Sequence, residues 1–273
     1  MARRLTLVAG AGELVPHLAE AARQHVAALQ IVDLAGRDDL VADDVVRASL
    51  SLSSELIASI KAFGPSHLLL AGAVHISDAD RKSLVSAFGL AGTVAGGIGD
   101  IGLAGIILLY CKLQRIKLVG AHEIVPELVA PAGHIAGPGN IDALSTISKH
   151  AVEVAKKVGA ADLGQSVVLS GMRAVAAEDI AGTDALLTRV AELRRAGLVG
   201  NAGHPLVLAK ARKPKQPAFV DLPAIGPRTI VNAAAAGISV IVVEAGATLL
   251  LDRATLAAEA SARGVTVIGV KHG

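Results

Sequence analysis

Glu178, Asp179 and Asp184 place three carboxylates within a short stretch, with Gly182 and the hydroxyl of Thr183 between them and Arg189 a little further on. Lys210, Lys213 and Gln216 share a later stretch that runs into Val220, Asp221, Leu222 and Pro223. Acids of this kind hold water or a metal and neighbouring lysines take phosphate oxygens, so the combination suits chemistry at phosphorus. Asp221 lies just ahead of an X-Pro pair, which favours an extended backbone. The same residues have plainer uses: Thr183 or Asp184 suits the cap of a following helix, and charges on loops commonly only face water.

Near the start, Gly10 and Gly12 follow one apolar run and Asp33 ends the next. This spacing matches a dinucleotide-binding turn with an acid for the ribose, except that Val15 stands where a third glycine belongs. The motif also suits a plain tight turn at a strand end; a glycine turn that opens a helix nevertheless offers N–H groups to any anion, so a phosphate site is expected here and a nicotinamide cofactor is the weaker alternative. Asp100, at the end of Gly96-Gly97-Ile98-Gly99, suits a metal, a polar substrate group or a helix cap. The histidines, His122 beside Glu123 among them, show no zinc spacing, and no nucleophile-elbow serine is present.

These groups need a frame. The chain has 273 residues, 52% hydrophobic and 18% charged, with a net charge of +2. That composition excludes disorder, and a near-neutral charge with three Phe, one Tyr and no Trp argues against a nucleic-acid partner. The lone Cys111 excludes an internal disulfide. Neither a signal peptide nor a spanning segment is legible, so a cytoplasmic protein is expected.

Apolar runs at 5–9, 29–34, 67–72 and 116–120 alternate with helical patterns at 13–24, 53–63, 78–88 and 103–114. Strands separated by helices imply a parallel sheet. Strands at 166–171, 205–210, 238–243 and 265–269, with helices at 142–157, 183–195, 228–236 and 252–263, form a second such pattern. The expected fold is α/β: a Rossmann-like amino-terminal domain over 1–130, a Gly/Pro-rich linker over 131–140, and a carboxy-terminal α/β catalytic domain over 141–273.

Several segments together resemble the UDP-2,3-diacylglucosamine pyrophosphatases of the lipid A pathway, of the two-domain type unrelated to calcineurin-like phosphoesterases. They are Leu7 to Gly12, Ala71 to Val74, Gly99-Asp100, Gly120 to Glu123, Ala161 to Val168, Ala176 to Arg189, Leu208 to Gln216, and Asp221 to Ile230. The resemblance implies Mg²⁺-dependent hydrolysis of the pyrophosphate to UMP and 2,3-diacylglucosamine 1-phosphate by a homodimer, with peripheral membrane association through the lipid substrate. It implies Asp221 as the essential aspartate, with Asp184 and Glu178 as further catalytic residues and Asp221 or Asp184 as metal candidates. It also implies substrate binding by Gly10, Gly12, Gly72, Asp100, Gln165, Gly182, Thr183, Arg189, Lys210, Lys213, Gln216 and Thr229. The chain departs from the family pattern at Ala73, Ile101, Gly105, Ala181 and Pro217, which suggests a catalytically weakened nucleotide-sugar-lipid binding protein as the alternative.

Overall fold

The computed structural model describes residues 3–72, 74, 76–87, 100–200, 203–214, 219 and 222–271. The chain forms two compact units, the first running through Pro126 and regaining the chain at Phe219, the second holding most of the remainder.

In the first unit the order is β1 (Arg4–Ala9), α1 (Leu14–Arg23), β2 (Ala28–Asp33), β3 (Asp44–Arg47), α2 (Ser53–Phe63), β4 (His67–Ala71), α3 (Asp78–Ala87), α4 (Asp100–Leu113), β5 (Lys117–Val119) and α5 (Ala121–Ile124). The strands pair in parallel in the order β3-β2-β1-β4-β5, the Rossmann arrangement. Helix α1 buries Val15, Leu18, Ala19 and Ala22, the one-face spacing that apolar residues need to pack a helix on a sheet. On the other side α2 buries Leu56, Ile57 and Ile60 in a core that includes Tyr110 and Cys111 of α4, with Phe219 packed against it.

The second unit runs β6 (Gly133–Ala136), α6 (Ile141–Ala160), β7 (Ser166–Ser170), β8 (Arg173–Ala177), α7 (Gly182–Arg195), β9 (Leu206–Lys210), β10 (Ala224–Ile225), α8 (Pro227–Ala235), β11 (Val240–Glu244), β12 (Leu249–Leu250), α9 (Arg253–Arg263) and β13 (Thr266–Val270). Its six-stranded sheet has the order β6-β13-β11-β9-β7-β8, with β13, β11 and β9 parallel and β6, β7 and β8 antiparallel to their neighbours. Strands β10 and β12 form a separate parallel pair. Asn140 caps α6 by accepting the Asp142 N–H at 2.9 Å, as expected of an Asn at that place.

The expected domain boundaries need correction on two points. The 131–140 segment is not a free linker: Gly133–Ala136 pairs with β13, because the edge of that strand would otherwise carry unpaired N–H and C=O groups. The division falls between Pro126 and Glu127 instead, and Phe219 belongs with the first unit, so the second is not one continuous run. Among the described residues, no helix is long and apolar enough to cross a membrane.

Candidate functional site

One end of the second sheet gathers residues far apart in the chain. Glu178 follows β8, and its N–H donates to the Ser166 carbonyl at 2.9 Å, which places it beside the start of β7. Its carboxylate accepts the Gln165 N–H at 2.9 Å on one oxygen and the Thr183 hydroxyl at 3.0 Å on the other. Thr183 also lies 3.4 Å from the Ser166 hydroxyl. Gly164 makes this approach possible: a Cβ there would lie 2.6 Å from both the Cβ and the carbonyl oxygen of Glu178. Lys210 stands opposite Ser166 in the ladder, and its ammonium donates to the Ala224 carbonyl at 3.0 Å. Gln165, Glu178, Thr183 and Lys210 thus lie at one end of the sheet, with Gly182 opening α7 among them. A carboxylate, a hydroxyl, an ammonium and a helix N-terminus at one strand end form a setting for a phosphate group.

Other expected site residues are engaged elsewhere. The Asp184 carboxylate accepts Arg228 at 2.9 Å and the Asn232 amide at 3.0 Å, tying α7 to α8 rather than joining Glu178. Arg189 is exposed and pairs with Glu192 at 3.2 Å on its own helix. Thr229 accepts the Gly226 N–H at 3.3 Å, a helix-capping role. Lys213 pairs with Asp162 at 2.8 Å. Asp221 and Gln216 lie outside the described residues, and Asp100 is described only as the first residue of α4.

In the first unit, the Gly10 N–H donates to the Ala71 carbonyl at 2.8 Å, so the glycine turn spans the ends of β1 and β4. Gly72 has φ +83°, and a Cβ on it would lie 2.6 Å from the Ala11 carbonyl oxygen and 2.7 Å from Val15 Cγ2. The close packing that a third glycine in the turn would supply is provided from the neighbouring strand end, which is why Val15 is accommodated. Asp33 is buried, and its two oxygens accept the Ala35 and Arg37 N–H groups at 2.9 and 2.7 Å. Those bonds commit the carboxylate to its own loop and leave the nicotinamide reading without its ribose partner. Arg37 donates to the Gly12 carbonyl at 2.9 Å and grips Asp39 in a two-bond fork, which raises its own pKa and lowers that of Asp39. The Nδ1 atom of His122 is buried with no hydrogen-bond partner, just beyond β5.

Glu244 escaped the sequence reading. It ends β11 one residue past the partner of Lys210, with its side chain 8% exposed, and takes the Lys156 ammonium at 2.6 Å and the Arg212 N–H at 3.0 Å. An acid ending an apolar strand just before Ala-Gly was the available signal. Among the described residues, no group of three His, Cys, Asp or Glu side chains could hold a metal ion.

The model of the LpxI C-terminal domain matches residues 131–268. The UDP-2,3-diacylglucosamine pyrophosphatase LpxI of Caulobacter vibrioides is 35% identical over 277 residues, covering 98% of both chains. The chain belongs to the LpxI family. The LpxI domain match begins ahead of β6 and takes in the Gln165, Glu178, Thr183 and Lys210 cluster together with Glu244. Solved structures lie much further off. The Bordetella bronchiseptica enzyme WbmG in complex with NAD and UDP is 12% identical, covers 95% of this chain and 89% of its own, and has a TM-score of 0.30. A Burkholderia cenocepacia epimerase described as putative is 14% identical, covers 97% and 93%, and has a TM-score of 0.28.

Proposed function

We propose that this LpxI-family chain hydrolyses the pyrophosphate of UDP-2,3-diacylglucosamine to UMP and 2,3-diacylglucosamine 1-phosphate, a step of lipid A synthesis. The observation that carries the reading is the end-to-end relationship with a pyrophosphatase of that specificity. The strand-end cluster of the second unit supports it: Lys210 and the N-terminus of α7 supply positive potential to a phosphate, while Glu178 fixes Gln165 and Thr183 beside it. Asp221, a short way beyond Lys213 in the chain, is assigned the essential role at the attacking water.

Magnesium and a homodimer are part of the same proposal. A bound Mg²⁺ neutralises charge on a pyrophosphate and needs only one or two protein carboxylates besides phosphate oxygens and water. Of the acids described, Asp184 is held by Arg228 and Asn232, and Glu178 by Gln165 and Thr183, so neither is assigned to the metal.

The test is UMP release from the diacylated substrate by purified protein, with Mg²⁺ and with EDTA, beside Asp221→Ala. Magnesium-dependent release that the variant lacks is expected. Substrate binding by well-folded protein without any UMP release would overturn the proposal and favour a binding protein.

A further inference from the structure

Helix α4 turns an apolar face outward. Leu108, Leu109 and Leu113 are 44%, 45% and 64% exposed, while Tyr110 and Cys111 are buried in the core. At about 100° per residue, Leu108, Lys112, Gly105, Leu109 and Leu113 follow one another around an arc of about 140°, opposite the buried pair. Lys112 therefore lies inside the apolar face, and Arg115 lies just past its end; both are exposed. From Ile101 to Ala121 the chain carries no acidic residue. Lys117 adds nothing to this set, because it is paired with Glu123 at 2.7 Å.

The charge pattern selects the occupant. Lysine is depleted at the apolar centre of protein interfaces, and a second copy presenting the same face would strip the Lys112 ammonium of water while this arc carries no acid to meet it. A bilayer surface has no such difficulty: the stem of a lysine lies along the apolar layer while its ammonium meets lipid phosphate. Leucines on one face with interleaved cations are the pattern of a helix lying in the headgroup region of an anionic membrane.

We propose that the α4 face docks on an anionic bilayer, with Leu108, Leu109 and Leu113 entering the boundary between headgroups and acyl chains and Lys112 and Arg115 meeting lipid phosphates. The purpose assigned to this contact rests on the proposed function, since a substrate with two acyl chains resides in a bilayer; the contact itself does not.

The experiment is co-sedimentation of the full chain with vesicles of phosphatidylcholine alone and of phosphatidylcholine mixed with phosphatidylglycerol. Binding to the mixed vesicles, weakening as salt is raised, is expected. Leu109→Glu/Leu113→Glu should weaken it by about tenfold or more, and Lys112→Gln and Arg115→Gln by about fivefold each. Circular dichroism and UMP release from detergent-dispersed substrate should match the parent in every variant, whereas release from vesicle-embedded substrate should fall with vesicle binding. No binding of the parent to either vesicle, or equal binding by the leucine variant, would overturn the proposal. So would a leucine variant whose sedimentation mass drops to the monomer, which would assign the face to a second copy. Vesicle binding by a parent that releases no UMP would uphold the docking surface and remove the pyrophosphatase reading.

Discussion

Replacing Glu244 by Gln tests whether the end of β11 organises the candidate site. The two carboxylate oxygens serve different donors, the Lys156 ammonium and the Arg212 N–H; the amide has one oxygen for the two and no charge to face Lys156, whose side chain is only 18% exposed. Breaking a fully buried pair from one side costs about 3–5 kcal/mol, because it strands the other charge; with some water still reaching Lys156, about 2–3 kcal/mol is expected here. Lys156→Met strands the carboxylate instead and should cost a similar amount. The double variant strands neither charge, so its cost should fall short of the sum of the two by at least about 1.5 kcal/mol. Urea unfolding of the four proteins, followed by far-ultraviolet circular dichroism, measures each term. Arg212 begins the stretch that leads through Lys213 toward Asp221, so kcat for UMP release should also drop roughly tenfold in Glu244→Gln through misplacement of that stretch. Costs that add within about 0.5 kcal/mol, or an unchanged kcat, would refute the coupling or the positioning argument respectively.

Further outcomes follow from single contacts. Gly164→Ala should push Glu178 off Gln165 and Thr183, since its Cβ has no room against Glu178 backbone; kcat should fall by about tenfold or more, measured as UMP release. Gly72→Ala forces a non-glycine residue to φ +83° and against the Ala11 carbonyl; about 3 kcal/mol of stability should be lost in urea unfolding, with Val15→Ala restoring only part of it. Burial pushes the Cys111 thiol from 9.0 up to about 11, so a thiol reagent at pH 8 should label it only when denaturant is added. The same shift fixes the sign of its pH linkage: the unfolded chain loses this proton first, so its contribution to stability falls as pH rises from 9.0 toward 11. A similar loss in Cys111→Ala would show that another group is responsible.

Sequence alone determined the alternation of strands and helices, because each central strand is a mostly apolar run and each major helix carries its own one-face period or cap. The runs at 5–9, 29–34 and 67–72 became β1, β2 and β4 nearly residue for residue, and Asn140 marked the start of α6. Among the strands that escaped notice, β3, β6 and β8 are sheet edges, partly exposed along their length, while β10 and β12 are two-residue strands, too short to leave a periodic signal. The family resemblance drew attention to Gln165, Glu178, Thr183 and Lys210, since their spacing in the chain follows the family pattern, and the fold places them at one end of the second sheet. Tertiary structure decided the rest, because a polar side chain's task depends on which partner reaches it. Asp184 holds α8, and Glu244 finds Lys156 across the second unit, pairings between residues that no local pattern relates. Likewise Val15 breaks the glycine pattern only in one dimension, because the space it needs is provided by Gly72 from another strand.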